Sequence, residues 1–544
     1  MPDPASPRPA DHILARGRVH PLPGTALPAP AIAIRDGHVL ATGAEDALRA
    51  LLPDAPVTDL GGATVLPAFH DSHTHFHRAA VLRHLFLDFE ALRPASIADV
   101  VALVRERAAA LPPGAWIQGD SLTAATLAEG RLPDRHALDA ATTAHPVVLR
   151  GIGKHVVAAN SAALAAAGIG RETADPPGGR IERAADGTPT GILHERAKLR
   201  LDTSAPDTAI PPVERALRLA ALRAGIEGLH REGIGTIGEM VRLTEEADDL
   251  AALAAEDALG VRVGIHYRVH EGEIRLPWLA GLGIRRVPGG DRIRVLGAKV
   301  SIDGWCIFRN AAVHVPYRGE PENTGILRID PEALTQLVGD ANRQGLGVAL
   351  HAVGARAIDA ALDAFAAAGT PTAGPWRLEH AHLDLDAPRI ARIRALGLVV
   401  SAQPAFLPAY RADWETGLEP ARVERLMPLA SVRAAGIPVI INSDRPSGPA
   451  GPLRAIAGAV TRRAGDRTIG SAEALSLADA WLAHTRAAAL AMDDPRGGIL
   501  APGARADLVV FREDPFLCGP EDLPPVAATM LDGRWAWDGE GRFR

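Results

Sequence analysis

The run PAFHDSHTHF, Pro67 to Phe76, places three histidines within six positions at the end of an apolar stretch. Residues two apart on a β-strand share a face, so His73 and His75 project together and can grip one divalent cation. The same pair also reads as polar loop residues or as hydrogen-bonded core histidines. His70 and His77 are weaker candidates, read as residues behind the ligands or along a pocket wall. Four more metal-competent residues stand at the ends of other strand-like runs: Lys299 in RIRVLGAKVSIDG, His351 in RQGLGVALH, His380 in PWRLEHAH and Asp444 in RAAGIPVIINSD.

Lys299 is informative because lysine is rare here. The chain has 58 Lys and Arg residues, and only Lys154, Lys198 and Lys299 are lysine. An ammonium in a core strand beside a cation is repelled unless the amine is neutral or modified. The ordinary reading is a structural or surface lysine. The other reading is that arginine cannot replace it: a neutral amine takes up carbon dioxide to become a carbamate, an anionic oxygen ligand able to bridge two cations. With only Cys306 and Cys518, far apart, neither a disulfide framework nor a thiolate metal site can be built, so any metal must be held by N and O.

These residues need a scaffold that brings distant segments to one rim. Five times a helical stretch rich in Ala, Arg and Leu stops at a glycine (Gly233, Gly260, Gly345, Gly397, Gly436) and a β-branched run follows. Glycine accepts the left-handed cap of a helix, and the run after it reads as a buried parallel strand. With TVLPAFHDSHTH, RIRVLGAKVSIDG and PWRLEHAH the count reaches eight, predicting a (β/α)8 TIM barrel whose strand ends collect the chemistry. An α/β insertion, about 85–230, follows the first strand and is placed to shape the pocket. Strands broken by Asp-Gly turns at both ends predict a small β-sandwich domain from 1–65 and 491–544, with the barrel over 66–490.

Composition narrows the class. At 544 residues, with 47% hydrophobic and 23% charged, the chain suits a large globular enzyme and is too apolar for disorder. The formal charge of -7 is spread without blocks, so the expected partner is a small-molecule substrate, with no nucleic acid and no membrane. A second copy, giving a homodimer, is left open. No apolar stretch approaches the roughly 18 residues of a spanning helix, and the Pro-rich start lacks a signal-like segment, so a cytoplasmic location is expected.

Together these motifs resemble the metal-dependent amidohydrolase superfamily, in the branch called amidohydrolase family 3, which includes N-substituted formamide deformylase. The resemblance covers nearly the whole chain: Pro67 to Phe76, Lys299 before Asp303-Gly304, HAVGARAIDAALDA, RLEHAH, NSDRP and the ending GGILAPGARADLVVFREDPF. It implies a binuclear site with His73, His75 and Asp444 on one metal, His351 and His380 on the other, and Lys299 as a carbamate between them. The metals expected are two Zn, with Mn or Co as alternatives. The implied activity is hydrolysis of a C–N bond in an amide, formamide or cyclic amide by a metal-activated hydroxide, with Asp444 as ligand and base. His155, Arg309, Tyr317 and Trp116 match pocket-facing positions and are candidates to bind substrate, though structural roles fit each of them too. The chain departs from the pattern at WCIFR (Trp305 to Arg309), at Ala68 and at His382, which shares a face with His380 and could exchange roles with it. The alternatives are an ester, lactone or amidine-like bond, or a metal-free assembly protein.

Overall fold

Helical stretches that stop at glycine and hand over to β-branched runs recur through the molecule. The five glycines read as helix stops all lie at positive φ, between 63° and 78°. A computed structural model describes residues 11–22, 24, 27–151, 156–177, 179–201, 208–269, 292–448 and 451–543. Eight parallel strands form one sheet: β1 (Phe69–Thr74), β2 (Ile234–Val241), β3 (Arg262–Arg268), β4 (Ile293–Ser301), β5 (Gly347–Ala352), β6 (Arg377–His380), β7 (Val399–Ala402) and β8 (Val439–Ile441). They are hydrogen-bonded in chain order from β1 to β8. The seam between first and last strands is bridged just beyond β8, where Asp444 N donates to His73 O (2.9 Å) and His75 N donates to Arg445 O (2.8 Å). The predicted α/β barrel is therefore the observed fold.

Helices between the strands form for local reasons. Pro331–Arg343 starts at Asp330, whose side chain accepts from Glu332 N and Ala333 N, with proline at its first position. Leu334, Val338 and Ala341 fall on one stripe, which is buried. Strands also approach closely: a Cβ built on Gly238 of β2 would lie 2.0 Å from Ser72 O of β1, so no side chain fits there.

Both chain ends share a second, eight-stranded sheet. Its centre pairs Thr64–Pro67 antiparallel with Leu508–Phe511, and the former runs through Ala68 straight into β1. A buried cluster that includes Leu14, Ile32, Val65, Leu508, Val510 and Met530 packs on one face, and Ile13, Ala31, Leu48 and Leu52 belong to a cluster on the other. Residues 78–225 make a compact unit of their own around a six-stranded sheet, parallel at one end and antiparallel at the other. Among the described residues no helix is long and apolar enough to cross a membrane.

Candidate metal site

The chain around β1 and β8 aims a carboxylate at two imidazoles. Asp71 on β1 accepts from Ser443 N (2.8 Å) and Ser443 Oγ (2.6 Å), and Arg445 Nη2 bridges Asp71 (3.4 Å) and Glu232 (2.6 Å). Held between them, Asp444 adopts φ 48°, a left-handed conformation that aspartate tolerates better than most residues. Its Oδ1 lies 3.5 Å from His73 Nε2 and 3.4 Å from His75 Nε2. The imidazole series continues across the rim: ring centroids are 5.2 Å apart for His73 and His380 and 4.3 Å for His380 and His351.

The hydrogen bonds of these rings fix their tautomers. His73 Nδ1 faces Glu379 Oε2 at 2.7 Å, His75 Nδ1 faces Met240 O at 3.3 Å, His380 Nδ1 faces Gln403 Oε1 at 2.8 Å, and His351 Nε2 faces Gly304 O at 3.0 Å. Each partner is an oxygen that only accepts, so an imidazole in its neutral form spends its N–H there and keeps a lone pair on its other nitrogen. Burial, aided by the Lys299 charge, holds His73 down to about 3, so the ring stays neutral. Hence His73 Nε2, His75 Nε2 and Asp444 Oδ1 are three ligand-competent atoms gathered at one point, and among the described residues none meets the buried Asp444 Oδ1 in hydrogen-bonding geometry. The carboxylate oxygen stands 3.4–3.5 Å from each imidazole nitrogen, and all three atoms lie within 4.8 Å of one another, a spacing that a cation between them would satisfy. Ligands about 2.0–2.1 Å from a tetrahedral ion stand about 3.3 Å apart, so the donor set fits a divalent metal.

Behind the imidazoles lies a buried charge pair. Arg377 Nε stands 2.7 Å from Glu379 Oε1, two positions away on the same face of β6, and Arg377 Nη2 donates to Ser72 O (2.9 Å). Burial alone would raise the Glu379 carboxyl; Arg377 first, then His73, more than offset this and hold it ionised. Lys299 on β4 is 3% exposed, and burial pulls its amine down to about 8 against the opposing pull of Glu379 and Asp444. Asp303 clamps the rim, accepting from Val353 N (3.0 Å), Gly354 N (2.9 Å) and Ala312 N (2.9 Å).

The structure thus gathers His73, His75 and Asp444 at one point, with His380 and His351 alongside and Lys299 within electrostatic reach. It also distinguishes His382 from His380. His382 Nε2 shares the same Gln403 Oε1 (3.0 Å), but its ring lies 5.5 Å from His380, on the side of Trp305. His70 and His77 lie in carboxylate contacts of their own, with Asp494 (3.6 Å) and Asp249 (3.0 Å). Arg309 is ion-paired with Glu320, and the buried Tyr317 hydroxyl donates to Ala311 O (2.9 Å). Trp116 packs, half-buried, on the cluster of Val148, Val157 and Leu164 in the inserted unit. His155 lies outside the described residues. Glu379 and Gln403, which set the tautomers of three histidines, were not singled out in the sequence. The signal was present: a carboxylate inside the four-residue strand RLEH, and an amide directly after the apolar run LVVSA.

A family model described as the amidohydrolase family matches residues 56–536. The N-substituted formamide deformylase of Arthrobacter pascens is 29% identical over 527 residues, covering 93% of this chain and 94% of that protein. An uncharacterised metal-dependent hydrolase of Pyrococcus furiosus superposes with a TM-score of 0.75 at 25% identity, covering 93% of this chain and all of that one. Its counterpart from Pyrococcus horikoshii gives 0.78 at 23% identity, with 94% and 100% covered.

Proposed function

The chain belongs to the amidohydrolase family, and from that premise we propose that it is a metal-dependent hydrolase cleaving the C–N bond of an amide, formamide or cyclic amide. The observation that carries this reading is the convergence of three atoms able to ligate a metal, His73 Nε2, His75 Nε2 and Asp444 Oδ1, on one point. His73, His75 and Asp444 would hold one ion and His351 and His380 a second, zinc suiting the donor set and Mn or Co also fitting it. Lys299 would join the set as a carbamate, its neutral amine adding carbon dioxide and losing a proton to become an anionic oxygen ligand.

Bound there, a divalent ion lowers the pKa of water from 15.7 to about 7 and polarises a carbonyl oxygen. The chain's own part is proton handling and alignment. The Asp444 carboxylate takes the proton released as water adds to the carbonyl carbon, then delivers it to the nitrogen as the C–N bond breaks, giving a carboxylic acid and an amine or its ring-opened equivalent. Glu379, Met240, Gln403 and Gly304 keep the four imidazoles in the tautomers this requires. The relative that acts on a formamide supports a C–N bond over an ester.

Elemental analysis and a substrate panel test the reading together. Protein purified from zinc-supplemented medium should carry about two metal equivalents per chain and release amine from N-formyl, N-acyl or cyclic amides. Metal-free protein would overturn the metal site and favour an assembly role. Turnover of lactones or esters alone would move the bond from C–N to C–O.

A further inference from the structure

Aromatic residues are scarce in this chain, 4% of the total, yet four of them cluster beside one pair of histidines, three in ring contact with it. Trp305 follows Gly304, whose carbonyl accepts from His351, so the indole is one residue from the proposed ligands. Its ring centroid lies 6.1 Å from His380 and 5.3 Å from His382. Phe406 (5.1 Å), Tyr410 (5.9 Å) and Trp414 (6.0 Å) complete the ring of neighbours, all edge to face. Phe406 and Trp414 are fully buried, whereas Trp305 and Tyr410 keep part of their surface open.

The backbone that carries the indole is also fixed in place. Trp305 N donates to Asn310 Oδ1 at 2.7 Å, and Gly304 sits so close to that side chain that a Cβ there would lie 2.0 Å from the same oxygen. His382 is fully buried and donates to Gln403 Oε1, the atom that also holds His380. Trp305 thus packs against two histidine rings that share one amide oxygen. Aromatic surfaces held edge to face gain further from a flat partner laid against them.

We propose that Trp305, backed by His382, Phe406, Tyr410 and Trp414, forms a subsite for a flat apolar ring on the group flanking the scissile carbonyl. The inference rests on the metal-hydrolase reading and adds a substrate class to it: aryl-bearing amides rather than short aliphatic ones. Trp305 is the specificity-determining residue, since of the four aromatics it is the partly open one whose ring also lies against His380.

Two metal-chelating probes that differ only in the ring, acetohydroxamate and benzohydroxamate, test this by calorimetric titration of the zinc-loaded protein. Benzohydroxamate should bind about tenfold more tightly. That preference should vanish in Trp305→Ala and be largely kept in Trp305→Phe, with acetohydroxamate affinity unchanged in both. Equal binding of the two probes to the wild-type protein overturns the subsite while leaving the metal reading standing, and it needs no variant to fold. An unchanged preference in a folded Trp305→Ala protein overturns the role of Trp305. Binding of neither probe overturns the metal reading, and the subsite with it.

Discussion

His73 and Glu379 stand 306 positions apart in the chain and 2.7 Å apart in space. Glu379→Gln keeps an oxygen that accepts from His73 but removes the charge that balances the fully buried Arg377. Metal affinity should fall about 10–100-fold, as when outer partners of ligating histidines are lost. Stability should drop by about 3–5 kcal/mol, the usual result of stranding one buried charge. Competition against a chelating dye and a thermal melt read the two effects, and an unchanged affinity would free His73 from any dependence on Glu379.

Asp444→Asn should abolish turnover while the folded protein persists. The amide remains near His73 and His75 but can no longer take up the water's proton. Steady-state rates beside circular dichroism check this, and a wild-type rate would remove Asp444 from the proton path.

Lys299 separates charge from chemistry. Lys299→Arg keeps a cation and should lose metal, because guanidinium forms no carbamate. Lys299→Ala leaves a gap that a short carboxylate can fill, so added formate or acetate should restore part of the metal content and activity. Metal content that survives in Lys299→Arg would remove the carbamate.

Acid lability should arise partly from a histidine behind the site. His484 is 1% exposed, neither ring nitrogen has a hydrogen-bond partner among the described residues, and burial lowers it from 6.5 to about 4. A folded pKa below the unfolded one stabilises above pH 6.5, and that contribution is lost as pH falls towards 4, where only the unfolded chain takes up the proton. The limit is roughly 3 kcal/mol for this one residue. His484→Leu should therefore flatten the fall in melting temperature between pH 6.5 and 4, and an unaltered slope would contradict the assignment.

Gly238→Ala should destabilise the barrel beside the site by about 3 kcal/mol or more, since its Cβ would meet the Ser72 backbone rather than a movable side chain. A melting temperature equal to wild type would show that β1 and β2 can separate there.

Much of this was legible in the sequence, for physical reasons that also mark where legibility stops. Period-two strands and glycine stops repeat locally, so the eight strands and the residues at their ends could be read before any coordinates. Which side chain meets which across the barrel depends on register between segments hundreds of residues apart. RLEH reveals that Arg377 and Glu379 share a face, but not that His73 lies opposite. Tyr317 and Arg309 were read as candidates for the pocket; in the structure one hydroxyl is spent on a backbone carbonyl and one guanidinium on Glu320. Local pattern carries no information about such short-range partners.

The seam joining β1 to the segment after β8 also sets a timetable. Asp71 and Ser443, which meet there, are 372 positions apart. At the usual pace of translation the ribosome needs roughly 20–75 s to travel that distance. Until then the first two imidazoles have left the exit tunnel without their carboxylate, and the cylinder has no last stave. Capture of a cation by the proposed site would thus wait until Asp444 has emerged, and a nascent chain stalled short of it would carry only half a grip.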